Sequence, residues 1–213
     1  MFKDRTEAGR LLAESLNFLK DRKDVFVLAI PRGGLVVAGE VADFLGSPLD
    51  LVITRKLGAP GNPELAVGAV TQDGESIVEP ELVRRLRVPN SYLEQEAAAQ
   101  SAEIRRRMRI YRGDRPYPSL EGKIVVIVDD GVATGSTVRA AILSAKARKA
   151  AQVILAVPVG PRETISDLSG IADRVICLSM PEPFYAIGGF YDDFGQVEDE
   201  TVIRILENHR ADG

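Results

Sequence analysis

Short unbroken apolar runs alternate along this chain with stretches in which apolar residues recur every three or four positions. The runs DVFVLAI (Asp24 to Ile30), LDLVIT (Leu49 to Thr54) and the β-branched Ile124 to Val128 predict strands covered on both faces, as in a parallel sheet. QVILAVPV and RVICLSM supply two more. Leu11, Leu12, Leu16 and Leu19 share one helical face and predict a first amphipathic helix up to about Lys20. Leu35 to Leu45, rich in Val and Ala, predicts a second helix, and TVIRILENHR a last one. Strand, helix and strand in succession make right-handed βαβ units. The expected fold is therefore α/β, a doubly wound, mainly parallel sheet forming a single domain over residues 1–213.

Two stretches interrupt this pattern. RKLGAPGNPE (Arg55 to Glu64) reads as a mobile loop from its Gly and Pro content, and AVGAV after it as a further strand. Residues 79–117 form a helical insertion of one or two helices. Its charge runs from Glu94, Glu96 and Glu103 to Arg105, Arg106, Arg107, Arg109 and Arg112, which matches a helix dipole on a solvated face. Leu93, Ala97, Ile104, Met108 and Tyr111 fall on a seam suited to a partner helix, so a homo-oligomer is expected. An arginine patch for nucleic acid or a phosphorylated acceptor is the competing reading of the same helix.

Composition narrows the field. With 45% hydrophobic residues over 213 positions the chain can bury a sizeable core, and no apolar stretch approaches the roughly 18 residues of a membrane span. The N-terminal MFKDRTEAGRLL lacks the features of a signal peptide, so a cytoplasmic protein is expected. Cys177 is alone and reads as a buried strand position. The net charge of -4 argues against a nucleic-acid partner. His209, the single histidine, lies in a charged tail and is expected to be solvated, which leaves no Ser or Cys hydrolase site. No P-loop motif occurs.

The chemistry concentrates in VVIVDDGVATGST, Val125 to Thr137, where a strand meets two adjacent carboxylates, a small-residue loop and a helix. A phosphate at that strand end can meet the N–H groups and positive dipole end of the helix, with hydroxyl donors from Thr134, Ser136 and Thr137 and a close backbone at Gly131 and Gly135. Asp129 and Asp130 repel phosphate but suit the vicinal hydroxyls of a ribose or a hard cation. Phosphate at one end and diol at the other describe a ribose 5-phosphate. The loop Pro31-Arg32-Gly33-Gly34 faces the same sheet edge, where N–H donors beside Arg32 suit a pyrophosphate. Arg55 and Lys56 close the second strand at that edge. Phe184, Tyr185, Phe190, Tyr191 and Phe194 cluster within a Pro- and Gly-flanked segment, residues 181–195, that either stacks a flat base or forms a small satellite core under a loop.

Four apolar residues, two acids, a three-residue spacer and Thr-Gly-Ser-Thr resemble the signature of the type I phosphoribosyltransferases, which use 5-phosphoribosyl 1-pyrophosphate (PRPP). The resemblance implies an enzyme that transfers ribose 5-phosphate from PRPP to a small nitrogenous acceptor, a nucleobase or related heterocycle, with Mg²⁺. It makes Asp129, Asp130, Lys56 and Arg32 the catalytic candidates, with both acids toward the metal. PRPP would be held by Ala133, Thr134, Gly135, Ser136 and Thr137 together with Arg32, Gly33, Gly34, Arg55 and Lys56. The Pro31–Gly34 loop matches the family's pyrophosphate loop, which often holds a non-proline cis peptide; the Leu57–Val70 segment resembles its closing loop. Residues 181–195 correspond to its hood, with Phe184, Tyr185, Phe190 and Tyr191 toward the acceptor. Hypoxanthine-guanine members place an acid where this chain has Ala133, so adenine and orotate members are more similar in that respect. Some members instead sense PRPP and signal to RNA, DNA or a protein, and that regulatory reading is the alternative.

Overall fold

A computed structural model describes residues 1–72 and 74–209; Arg210, the end of the last expected helix, lies outside them. Helix α1 (Arg5–Ser15) starts where the Asp4 side chain accepts a hydrogen bond from the Glu7 N–H. A 3-10 turn at Asn17–Leu19 replaces the last turn expected of it. Leu12, Leu16 and Leu19 are buried, but Leu11 is 42% exposed, because the helix presents Ala8 and Leu12, one turn apart, to the interior.

The expected βαβ unit follows as β1 (Val25–Ala29), α2 (Gly33–Leu45) and β2 (Leu49–Leu51). Farther along come β6 (Ile124–Val128), α5 (Ser136–Ala147), β7 (Gln152–Val159), α6 (Arg162–Ser169), β8 (Arg174–Ser179) and α7 (Asp199–Asn208). The five strands pair in the order β2-β1-β6-β7-β8, every pair parallel. Side-chain alternation splits the interior into two layers. Val25, Val27, Val126 and Val128 pack with α1, α2 and α7, whereas Phe26, Leu28, Val125 and Ile127 pack with α5 and α6. Adjacent strands β1 and β6 therefore send their following helices to opposite faces, and a crevice opens between the two departing loops.

Between β2 and β6 the structure departs from expectation. Arg55 to Glu64 is not a loop: β3 (Arg55–Ala59) and β4 (Asn62–Val70) pair antiparallel, and β5 (Ser76–Val78) completes a separate three-stranded sheet. Burial of Leu57, Ala59, Val67 and Val70 holds this sheet on the main core. Helices α3 (Pro80–Arg85) and α4 (Asn90–Arg112) follow, within the helical insertion expected over residues 79–117. The α4 seam is occupied within the chain itself. Ile104 and Tyr111 are buried in the same core that packs Leu93, Ala97 and Met108, which removes the reason for assigning the seam to a second subunit.

His209 is likewise no solvated residue. Its Nε2 lies 2.9 Å from Asp43 Oδ1, and its carbonyl accepts from Leu49 N–H, so it ties the end of α7 to α2 and β2. Cys177 sits on edge strand β8, partly buried, and burial raises its thiol pKa.

Candidate functional site

The loop after β6 lines the crevice with two parts of unlike construction. One is the turn into α5. Gly135 holds φ 78 there, a left-handed conformation that favours glycine, and no side chain caps the helix start. The first N–H groups of α5 therefore point out of the turn without a side-chain acceptor, as at an anion site. Ala133, Thr134 and Thr137 are exposed, and Thr134 Oγ1 and Ser136 Oγ lie 3.5 Å apart. The loop is braced from behind: Thr164 Oγ1 donates to the Ala133 carbonyl (2.9 Å) and Thr54 Oγ1 to that of Thr137 (3.1 Å). Thr134 and Ser136 also line a small cleft whose opposite wall is Ala66, Gly68 and Ala69 of β4 with Ile77 and Val78 of β5.

The other is the acidic pair, and it is enclosed. Asp130 N–H donates to Asp129 Oδ1 at 2.8 Å. Asp129 keeps some exposed surface, yet burial of its carboxyl lifts its pKa well above the usual carboxylate range, and the neighbouring Asp130 charge adds to the effect. Arg5 of α1 donates from Nε to Asp130 Oδ2 at 2.7 Å, and both side chains are 12% exposed. Tyr191 Oη donates to the Asp130 carbonyl at 2.6 Å.

Loop Pro31–Gly34 meets this pair directly. The Pro31–Arg32 peptide is cis, and a methyl group on Gly33 would run into Asp130 Oδ2 and, at 2.8 Å, Arg5 Nε. One on Gly34 would stand 3.0 Å from Asp129 Oδ1. Glycine is required at position 33, where the Asp130 carboxylate fills the space a Cβ would take, and position 34 is tightly packed against Asp129 and the Val128 carbonyl. Arg32 Nη1 lies 3.6 Å from Asp199 Oδ1 at the start of α7, and Tyr111 Oη donates to the same oxygen at 2.7 Å. Burial and that bond push the Tyr111 pKa up to about 12.

The remaining candidates divide. Lys56 lies on β3 opposite Ala69, a residue of the cleft wall. Arg55, the other cation expected in the PRPP cradle, donates from Nε to Gln100 Oε1 of α4 at 2.8 Å. Among the aromatics, Phe184 and Phe190 stack at 5.1 Å and Tyr185 is 90% exposed. Tyr191 is 6% exposed and packs against Phe2 and Phe194, so its ring belongs to a satellite core and has no free face for a base. Arg5, Asp199 and the Tyr191 hydroxyl escape the sequence reading. Each meets the site from more than 60 residues away, and no local spacing marks it.

The acidic pair and the uncapped turn into α5 lie on one loop after β6, at the point where β1 and β6 send their helices to opposite faces. The phosphoribosyl transferase domain model matches residues 3–194, and the chain belongs to that family. A Mycobacterium tuberculosis (strain H37Rv) protein that carries a provisional phosphoribosyl transferase name is 42% identical over 212 residues, which cover 100% of this chain and 48% of that protein. The chain thus spans about half the length of the curated relatives it matches. The solved structure of TT1426 from Thermus thermophilus is 46% identical, with a TM-score of 0.88 over 99% of both chains. The AQ2163 protein of Aquifex aeolicus is 13% identical and shares the fold, with a TM-score of 0.51 over 83% of this chain and 74% of its own.

Proposed function

We propose that this chain binds PRPP across the β1–β6 crevice and transfers its ribose 5-phosphate to a small nitrogenous acceptor, releasing pyrophosphate. The observation that supports this reading is the close approach of Gly33 and Gly34 to Asp129 and Asp130, which brings a glycine loop, an acid pair and an uncapped helix start to one crevice. The 5-phosphate lies on Thr134, Gly135, Ser136 and Thr137. The ribose hydroxyls face the acids, and the pyrophosphate takes N–H donors of the Gly33–Gly34 loop with Arg32 and Lys56. Departure of pyrophosphate leaves positive charge on the ribose ring and negative charge on the leaving group. Cations and N–H dipoles around the leaving group therefore lower the barrier more than a protein nucleophile would. Carboxylates beside the ring favour its cationic character.

Mg²⁺ fits this donor set. No cluster of three or more acidic, His or Cys ligands occurs among the described residues, and Mg²⁺ is commonly held by one or two carboxylates plus substrate phosphates. Asp129 and Asp130 are the groups that would meet it, and the bound ion would neutralise charge gathering on the pyrophosphate. For the acceptor, Phe184, Tyr185 and Phe190 remain the candidate stacking surface. Ala133 offers no carboxylate to a 6-oxopurine.

The regulatory alternative draws on the basic end of α4. There Arg106 and Arg107 both bond Glu103, which holds that carboxyl down at about 2, and Arg112 is buried against Asp50 at 2.8 Å. These pairings favour the enzymatic reading. A screen of nucleobases and small amines for PRPP- and Mg²⁺-dependent pyrophosphate release tests it. Release with at least one acceptor is expected; PRPP binding without release for any acceptor would favour a sensor.

A further inference from the structure

Arg5 reaches the acidic pair across 125 positions of sequence. Its guanidinium is fixed on three sides: Nε on Asp130 Oδ2, Nη1 on the Gly195 carbonyl at 2.8 Å, and its plane over the Phe194 ring at 3.8 Å. The segment before it is bound to the same region, with Phe2 N–H donating to the Phe190 carbonyl at 2.9 Å and Asp192 N–H to that of Phe2 at 2.9 Å. Tyr191 then holds the Asp130 backbone from the opposite side. Gly33 closes over the Arg5–Asp130 contact, so a larger residue there would meet both partners.

A carboxylate on a strand end could turn about its side-chain bonds. Here one oxygen is committed through a single Nε bond to a mostly buried arginine, and the planar guanidinium is itself fixed by Gly195 and Phe194, so the carboxylate oxygen has an immobile partner. We propose that Arg5 is a positioning residue of the sugar site, holding Asp130 in the orientation that lets the acid pair recognise the vicinal hydroxyls of a ribose. This rests on the functional reading above and adds a residue to it. Arg5 does not touch the sugar. It makes the N-terminal segment and residues 190–195 parts of the diol side while leaving the phosphate turn untouched.

The test compares calorimetric affinities for ribose 5-phosphate and 2-deoxyribose 5-phosphate, which share the phosphate and differ by one hydroxyl. The unaltered protein should prefer the ribose form by at least about tenfold, the size of one lost hydrogen bond to a charged group. Arg5→Gln should bring that preference toward unity, with 2-deoxyribose 5-phosphate binding changed less than about twofold, as expected of an untouched phosphate turn. Arg5→Lys should fall between them, since it keeps the charge without the fork. If Arg5→Gln does not fold, as read by circular dichroism, the same ratio in Arg5→Lys decides. An undiminished preference in a folded Arg5 variant, or parallel loss of both ligands, would overturn the proposal. Failure of the unaltered protein to bind either ligand would overturn the functional reading and this inference with it, whereas binding both equally would overturn the assignment of the acids to the diol and this inference while leaving the phosphate reading standing.

Discussion

The two walls of the crevice, one after β6 and one at the start of α5, come from a single stretch of thirteen residues, yet they are built on opposite principles. The turn into α5 is largely exposed, uncapped and braced by side chains through the carbonyls of Ala133 and Thr137. The acid wall is buried and tied by Arg5, Tyr191 and the glycines of the opposite loop. An anion brings its own charge and shape to a ring of N–H donors, so little surrounding structure is needed to receive it. Two adjacent carboxylates repel one another and must be held, so their partners are recruited from both ends of the chain. Damage to the first wall should therefore appear in binding, and damage to the second in stability.

The largest expected effect tests the second wall. Tyr191→Ala removes a ring from the cluster with Phe2 and Phe194 together with the bond to the Asp130 carbonyl, and should cost about 3–5 kcal/mol in a denaturant melt. A loss under about 1 kcal/mol, the level of an exposed aromatic, would return this ring to the acceptor surface.

The first wall should behave in the reverse manner. Thr134→Ala should leave stability within about 0.5 kcal/mol, because the side chain is exposed. It should weaken PRPP and ribose 5-phosphate binding alike by roughly 1.5–3 kcal/mol, the worth of a hydrogen bond to a charged group. Calorimetric titration of both ligands measures this, and unequal losses would place the phosphate elsewhere.

A smaller effect probes the joint between the walls, where Tyr111 and Arg32 share Asp199. With its pKa raised to about 12 in the folded state, Tyr111 favours the fold fully below its ordinary value of 10.0, and that contribution is lost as pH rises through about 12. Burial also raises Tyr117 and Tyr191, so in an alkaline absorbance titration the late-titrating tyrosines should fall by one in Tyr111→Phe. A late-titrating amplitude unchanged in Tyr111→Phe would mean that the bond to Asp199 is not formed.

What is legible in the sequence follows the same division. Ile124 to Val128 and the turn after it are local: a buried strand, a glycine with positive φ and three hydroxyl residues lie within one segment, and their roles follow from spacing. The β3–β4 hairpin reads as a loop because Gly58, Pro60 and Gly61 carry the composition of one. The structure absorbs them through register shifts on either side of Gly58 and a turn at Gly61. The α4 seam is a true apolar face with a partner other than the expected one, since periodicity reports that a face is covered but not by what. Arg5 and Asp199 carry no local signal, because a charged residue at a helix start is common and its partner is set only by the folded chain.

The central claim, that this crevice holds a ribose 5-phosphate by phosphate and diol together, is tested most directly by thermal unfolding with Mg²⁺ and either PRPP, ribose 5-phosphate or no ligand. Ligand at about 100 times its dissociation constant adds roughly 2.7 kcal/mol to the folded state. Both ligands should raise the melting temperature, PRPP by more because it also engages the Arg32–Gly34 loop. An unchanged melting temperature with either ligand at millimolar concentration would contradict the account.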